Sequence, residues 1–135
     1  MALEYLAAFV IIGHGIGHTT GFFEAWTSIK MNFHDEPWLF DRKTKLKSPI
    51  GKAFGIIWLA CIPLFVISGI GILLGETWWR DWAIIGSVVS IVAMLPWWKA
   101  MIGGAKAGLL LDFAILVVLL VPGIGDQITD FFEVP

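Results

Sequence analysis

Residues 5–23 read YLAAFVIIGHGIGHTTGFF, nineteen residues with no Asp, Glu, Lys or Arg among them. A helix needs about 20 mainly apolar residues to cross roughly 30 Å of hydrocarbon, so this stretch is long enough to span a bilayer. Three further runs follow it. Ala53–Leu74 is 22 residues without a charge, Trp82–Trp98 is 17, and Ala107–Val121 is interrupted only by Asp112. None alternates with the period of two that a membrane barrel requires. The sequence therefore predicts an all-α, polytopic membrane protein: one domain over 1–135, a four-transmembrane-helix bundle with spans near 5–27, 51–74, 82–99 and 105–122.

Composition agrees. The chain is 135 residues, 58% hydrophobic and 15% charged, with a mean hydropathy of +0.83. A soluble domain carries about 25% charged residues, so the polar side chains here are too few to coat a globule. A net charge of −2 lacks the basic footprint of a nucleic-acid binder. The single cysteine, Cys61, excludes an intramolecular disulfide and a redox cysteine pair.

Charge also orients the spans. Lys30, Arg42, Lys43, Lys45, Lys47, Lys52, Lys99 and Lys106 fall on one side, and Arg80 alone on the other. The positive-inside rule then places the 28–50 loop in the cytoplasm and both termini outside, in a multi-pass plasma (inner) membrane protein. No basic residue precedes the first run and no small-residue cleavage pattern follows it, so it reads as a retained span rather than a signal peptide. Trp26, Trp38, Trp97 and Trp98 are expected at the inner headgroup level, and Trp78, Trp79 and Trp82 at the outer one.

Within the loop, residues 35–40 carry acids, a proline and aromatics in the order of a short interfacial helix. The cations Arg42, Lys43, Lys45 and Lys47 are candidate contacts for anionic lipid, although topological signalling alone accounts for them. Residues 126–135 are expected on the outer surface, with Phe131 and Phe132 dipped into lipid.

Small residues mark the expected packing faces, because close approach drives helix association in lipid. Gly13, Gly17 and Gly21 recur every fourth residue in the first span, and Gly104 and Gly108 do so in the fourth. Gly86 and Ser90, beside Ser87 and Met94, mark the third. Trp58, Cys61, Phe65 and Ser68 share a face of the second and read as packing.

The chemistry is concentrated in three residues. His14 and His18 stand one turn apart on one helix face, the spacing with which a helix presents two imidazoles to one metal ion. Asp112 continues the glycine row of the fourth span. His18 and Asp112 each lie six residues from a charged residue at the inner edge, which predicts equal depth. An intramembrane carboxylate costs about 3 kcal/mol on insertion scales and usually pairs or lines a pathway. Three readings follow: a divalent transition metal held by His14, His18 and Asp112, a proton relay or small polar ligand site, or a hydrogen-bonded tie between helices. Haem is disfavoured, because two histidines one turn apart cannot take its opposite faces and a bis-His haem would need two protomers. His34, in the loop, reads as a solvated residue.

The stretch HGIGHTTGF (14–22) resembles the first helix of a group of small, uncharacterised four-helix prokaryotic membrane proteins. GIIWLA (55–60) and SGIGILL (68–74) look like its second helix, and DFAIL (112–116) like part of its fourth. The resemblance implies a four-span bundle and carries no activity. Asp112 stands where that group often has an amide, which implies a hydrogen-bonding role there. No nucleophile–base set and no phosphate-cradling loop is present, so an ordinary enzyme is the weakest class. The rival to a polar ligand site is an accessory subunit of a larger membrane complex, or a homo-oligomer, packed through the glycine faces.

Overall fold

The computed structural model describes residues 2–132. It is all-helical, in the order α1 (Ala2–Gly17), α2 (Thr19–Trp26), α3 (Pro49–Leu74), α4 (Trp79–Met94), a 3₁₀ turn (Leu95–Trp97), α5 (Gly103–Leu120) and α6 (Ile124–Phe132). Four spans are long and apolar enough to cross a membrane: Ala2–Trp26, Pro49–Leu74, Trp79–Trp97 and Gly103–Leu120. The outward faces are apolar too. Phe9, Ile56, Val92, Leu110 and Val117 are all exposed, as expected where acyl chains rather than water surround the bundle.

The first span breaks at His18. Gly15 and Gly17 weaken the helix there, and the His18 amide bonds back three residues, to Gly15 O, instead of four. The hydroxyls of Thr19 and Thr20 donate to the carbonyls of Ile16 and Gly17, both at 2.8 Å, so side chains supply partners for backbone acceptors at the break. The second span, α3, has firm ends. Ser48 caps it by accepting from the Gly51 amide, with Pro49 in its first turn. It closes on Gly75 at φ 67°, where the amide of Glu76 bonds to Gly71 O, a Schellman-type end that a left-handed glycine permits.

α3 is the centre of the bundle, packed against α1, α2 and α4; α5 lies on α4 and meets α1 at few points. The seam of α1 with α3 is made by Ala8, Ile11 and Gly15 on one side and Cys61, Phe65 and Gly69 on the other. A Cβ at Gly15 would lie 2.7 Å from that of Phe65, and one at Gly69 would lie 3.2 Å from Ala8 O.

This corrects part of the glycine reading. Gly21 does pack, with the Trp58 ring filling the space where its Cβ would stand, and Gly108 faces the His14 ring. Gly13, Gly17 and Gly104 have nothing within 4 Å of a Cβ position. At 100° per residue, Gly13 and Gly17 are rotated by roughly half a turn from the face centred on Gly15, so they line an open cleft instead.

The loop differs as well. Residues 28–48 contain no helix; they fold up against the bundle through amide bonds from His34 to Ala100 O and from Leu39 to Pro96 O, both 2.8 Å. Trp38 packs on Trp97 and Phe54. Trp97 and Trp79, at the two ends of the third span, are buried against the protein, whereas Trp26 and Trp98 are exposed. Asp41 holds the turn that follows, accepting from the Thr44 and Lys43 amides and the Thr44 hydroxyl. Those bonds, the Thr44 amide first, hold its carboxyl well below the usual range. At the other end, Phe132 turns inward onto Trp79 while Phe131 stays exposed; residues 133–135 lie outside the described residues. The guanidinium of Arg80 ties α6 back, donating to Leu119 O at 2.6 Å and to Asp126 at 3.1 Å.

Candidate metal centre

His14, His18 and Asp112, remote in the chain, come together in the interior. One ligand atom from each lies within 4.8 Å of the others. His18 and Asp112 are 4% and 0% exposed, and the His14 side chain is 8% exposed. His14 Nε2 sits 2.7 Å from Asp112 Oδ1. The other carboxylate oxygen, Oδ2, accepts from the Ser90 hydroxyl at 2.5 Å, and that hydroxyl oxygen is 3.2 Å from His18 Nε2. Asp112 thus spans the one-turn step between the imidazoles, one oxygen reaching His14 directly and the other reaching His18 through Ser90.

The proton count in this chain is constrained. An ionised carboxylate only accepts, and a serine hydroxyl has one proton to give. If Ser90 donates to Asp112, its oxygen accepts from His18 Nε2–H, while His14 Nε2–H donates to Oδ1. Every proton then points toward Asp112, and both Nδ1 nitrogens carry lone pairs. Neither Nδ1 has a hydrogen-bond partner among the described residues.

Packing fixes the rings. Phe65 stacks on His18 at 5.7 Å with 4° between planes, and meets His14 edge-on at 4.7 Å. The imidazoles are themselves edge to face at 5.0 Å. Ser90 and Phe65 are the members that the residue spacing did not reveal as site residues. Ser90 was legible only as a small residue of a packing face, and Phe65 only as core. A hydroxyl three residues from Ser87 in an otherwise apolar span is the signal that could have found the first.

The remaining candidates fall elsewhere. Lys45 pairs with Asp35 at 2.5 Å, whereas Arg42, Lys43 and Lys47 have no ion pair among the described residues. His34 is exposed. Set against protein-family models, curated proteins and solved structures, the chain matches none.

Proposed function

We propose that the protein is an integral membrane protein that binds a divalent first-row transition metal within the bilayer, through His14, His18 and Asp112. The observation that carries this is the convergence of two imidazoles and one carboxylate, buried and within 4.8 Å of one another, with both rings held by Phe65. Two histidines and a carboxylate form a donor set that suits zinc or iron(II) and leaves coordination positions open. Ser90 completes it from behind by orienting the carboxylate, as outer partners of metal ligands do. A metal would replace the protons now shared along the His–Asp–Ser chain, and would offset the cost of an intramembrane carboxylate. In this reading both termini face outward and the basic loop lies at the cytoplasmic leaflet, with Arg42, Lys43 and Lys47 free to meet anionic headgroups.

Elemental analysis of the purified protein tests the metal. Wild type should carry near-stoichiometric metal after exhaustive dialysis, and the His14→Ala/His18→Ala double variant should carry almost none. Equal, negligible content in both would overturn the assignment.

A further inference from the structure

Met94 brings a sulfur to the same group of side chains. The residue is buried, 4% exposed, and its Sδ lies 3.3 Å from Ser90 Oγ, the hydroxyl that also meets Asp112 Oδ2 and His18 Nε2. The sulfur is therefore one hydroxyl away from both a carboxylate oxygen and an imidazole nitrogen of the candidate centre. It stands there because Ser90 and Met94 are four residues apart on α4 and share a face. In the proton arrangement given above, the single Ser90 proton goes to Asp112, at 2.5 Å. The thioether then receives no hydrogen bond from Ser90 and keeps its lone pairs.

Space adjoins the sulfur. A slot of about 320 Å³ between α1/α2 and α5 has His14, His18 and Met94 in its wall, beside Gly13 and Gly17. Two imidazoles and a thioether thus border one volume. Methionine is unbranched, with three rotatable bonds, so its sulfur has latitude to advance. The Cys61 thiol is differently placed: its Sγ is turned onto Ile57 O of its own helix, at 3.4 Å, and it is not among the residues that converge with His14.

Two imidazoles with a carboxylate suit a divalent ion, whereas two imidazoles with a thioether make a softer set, of the kind that selects copper(I). We propose that the site also takes copper(I), held by His14, His18 and Met94 Sδ, with Asp112 left hydrogen-bonded to Ser90. The inference rests on the metal reading for its two imidazoles and adds to it a second ion and the ligand that selects it.

Copper(I), kept reduced under argon, is titrated into the metal-stripped, detergent-purified protein against bathocuproine disulfonate, and zinc(II) against a zinc chelator on the same preparation. The variant is Met94→Leu, a swap of similar volume that cores tolerate, with Cys61→Ala as the control for the thiol. Wild type and Cys61→Ala should each bind copper(I) saturably. Met94→Leu should bind it at least about ten-fold more weakly, the lower end of what losing even an outer partner of a metal ligand costs, at unchanged zinc(II) affinity. The copper K-edge spectrum of wild type should show a sulfur neighbour. Equal copper(I) affinity in Met94→Leu, loss with Cys61→Ala instead, an equal loss for both metals in Met94→Leu, or a wild-type spectrum without sulfur would overturn the inference. Wild type that binds zinc(II) but no copper(I) would overturn it and leave the divalent site standing. Copper(I) binding without zinc(II) would do the reverse, and binding of neither would overturn both.

Discussion

Asp112 receives hydrogen bonds from two helices while contributing none, so the consequences of replacing it depend on what remains to accept them. Asp112→Ala leaves the Ser90 hydroxyl and His14 Nε2 buried without their acceptor, a loss of about 1–3 kcal/mol for an unsatisfied group. It should appear as a lowered melting transition in detergent; an unchanged melt would mean that the network is not formed. Ser90→Ala acts one bond further out. It removes the group that orients Oδ2 and should weaken metal affinity about 10–100-fold in a competition titration with a chelator, while both imidazoles and the carboxylate remain. His14 and His18 were recognisable as a pair from their spacing alone. Ser90 was not, because a serine in an apolar helix has the same appearance whether it packs, bonds its own backbone or orients a ligand.

At the scale of elements, the glycines separate into those that hold helices together and those that leave space. Gly21 belongs to the first set, with Trp58 against it, and Gly13 to the second. Gly21→Ala should therefore destabilise the bundle by about 1–3 kcal/mol through overpacking. Gly13→Ala should leave it unchanged or stabilise it by up to about 1 kcal/mol, through helix propensity. Unfolding titrations of the two variants in the same detergent compare them directly, and equal effects would contradict the seam described above. An i, i+4 glycine row states only that two backbones are able to approach. Which row is used depends on the helix rotation, and that rotation is set by Phe65, Trp58 and Ala8 together. The break at His18 has the same origin: two glycines allow it, two threonine hydroxyls fill the freed acceptors, and it sets the second imidazole at the start of a new helix.

For the whole molecule, topology is the property that the charge distribution addresses and that labelling checks. In a Cys61→Ser background, Gln127→Cys should react with a membrane-impermeant maleimide on intact cells, and Arg42→Cys only after lysis; the reverse pattern would invert the orientation. The four spans were legible because a bilayer imposes a length and an apolar composition that a single chain must satisfy locally. Their ends were placed to within a few residues by glycines, prolines and charges acting on their own helix. The loop forms no interfacial helix because its backbone amides bond elsewhere, Trp38 N–H to Thr44 O and Leu39 N–H to Pro96 O, and Trp38 packs on Trp97 and Phe54 while Phe40 stays exposed. By itself, then, the sequence determined the number of spans and the presence of three ionisable side chains in an environment that disfavours them. Only the tertiary structure decided that these three meet, that Ser90 joins them, and that a slot opens beside them. Those outcomes depend on how four apolar rods rotate and lean against one another, and in lipid that is settled by side-chain shape at the contacts, which no local pattern encodes.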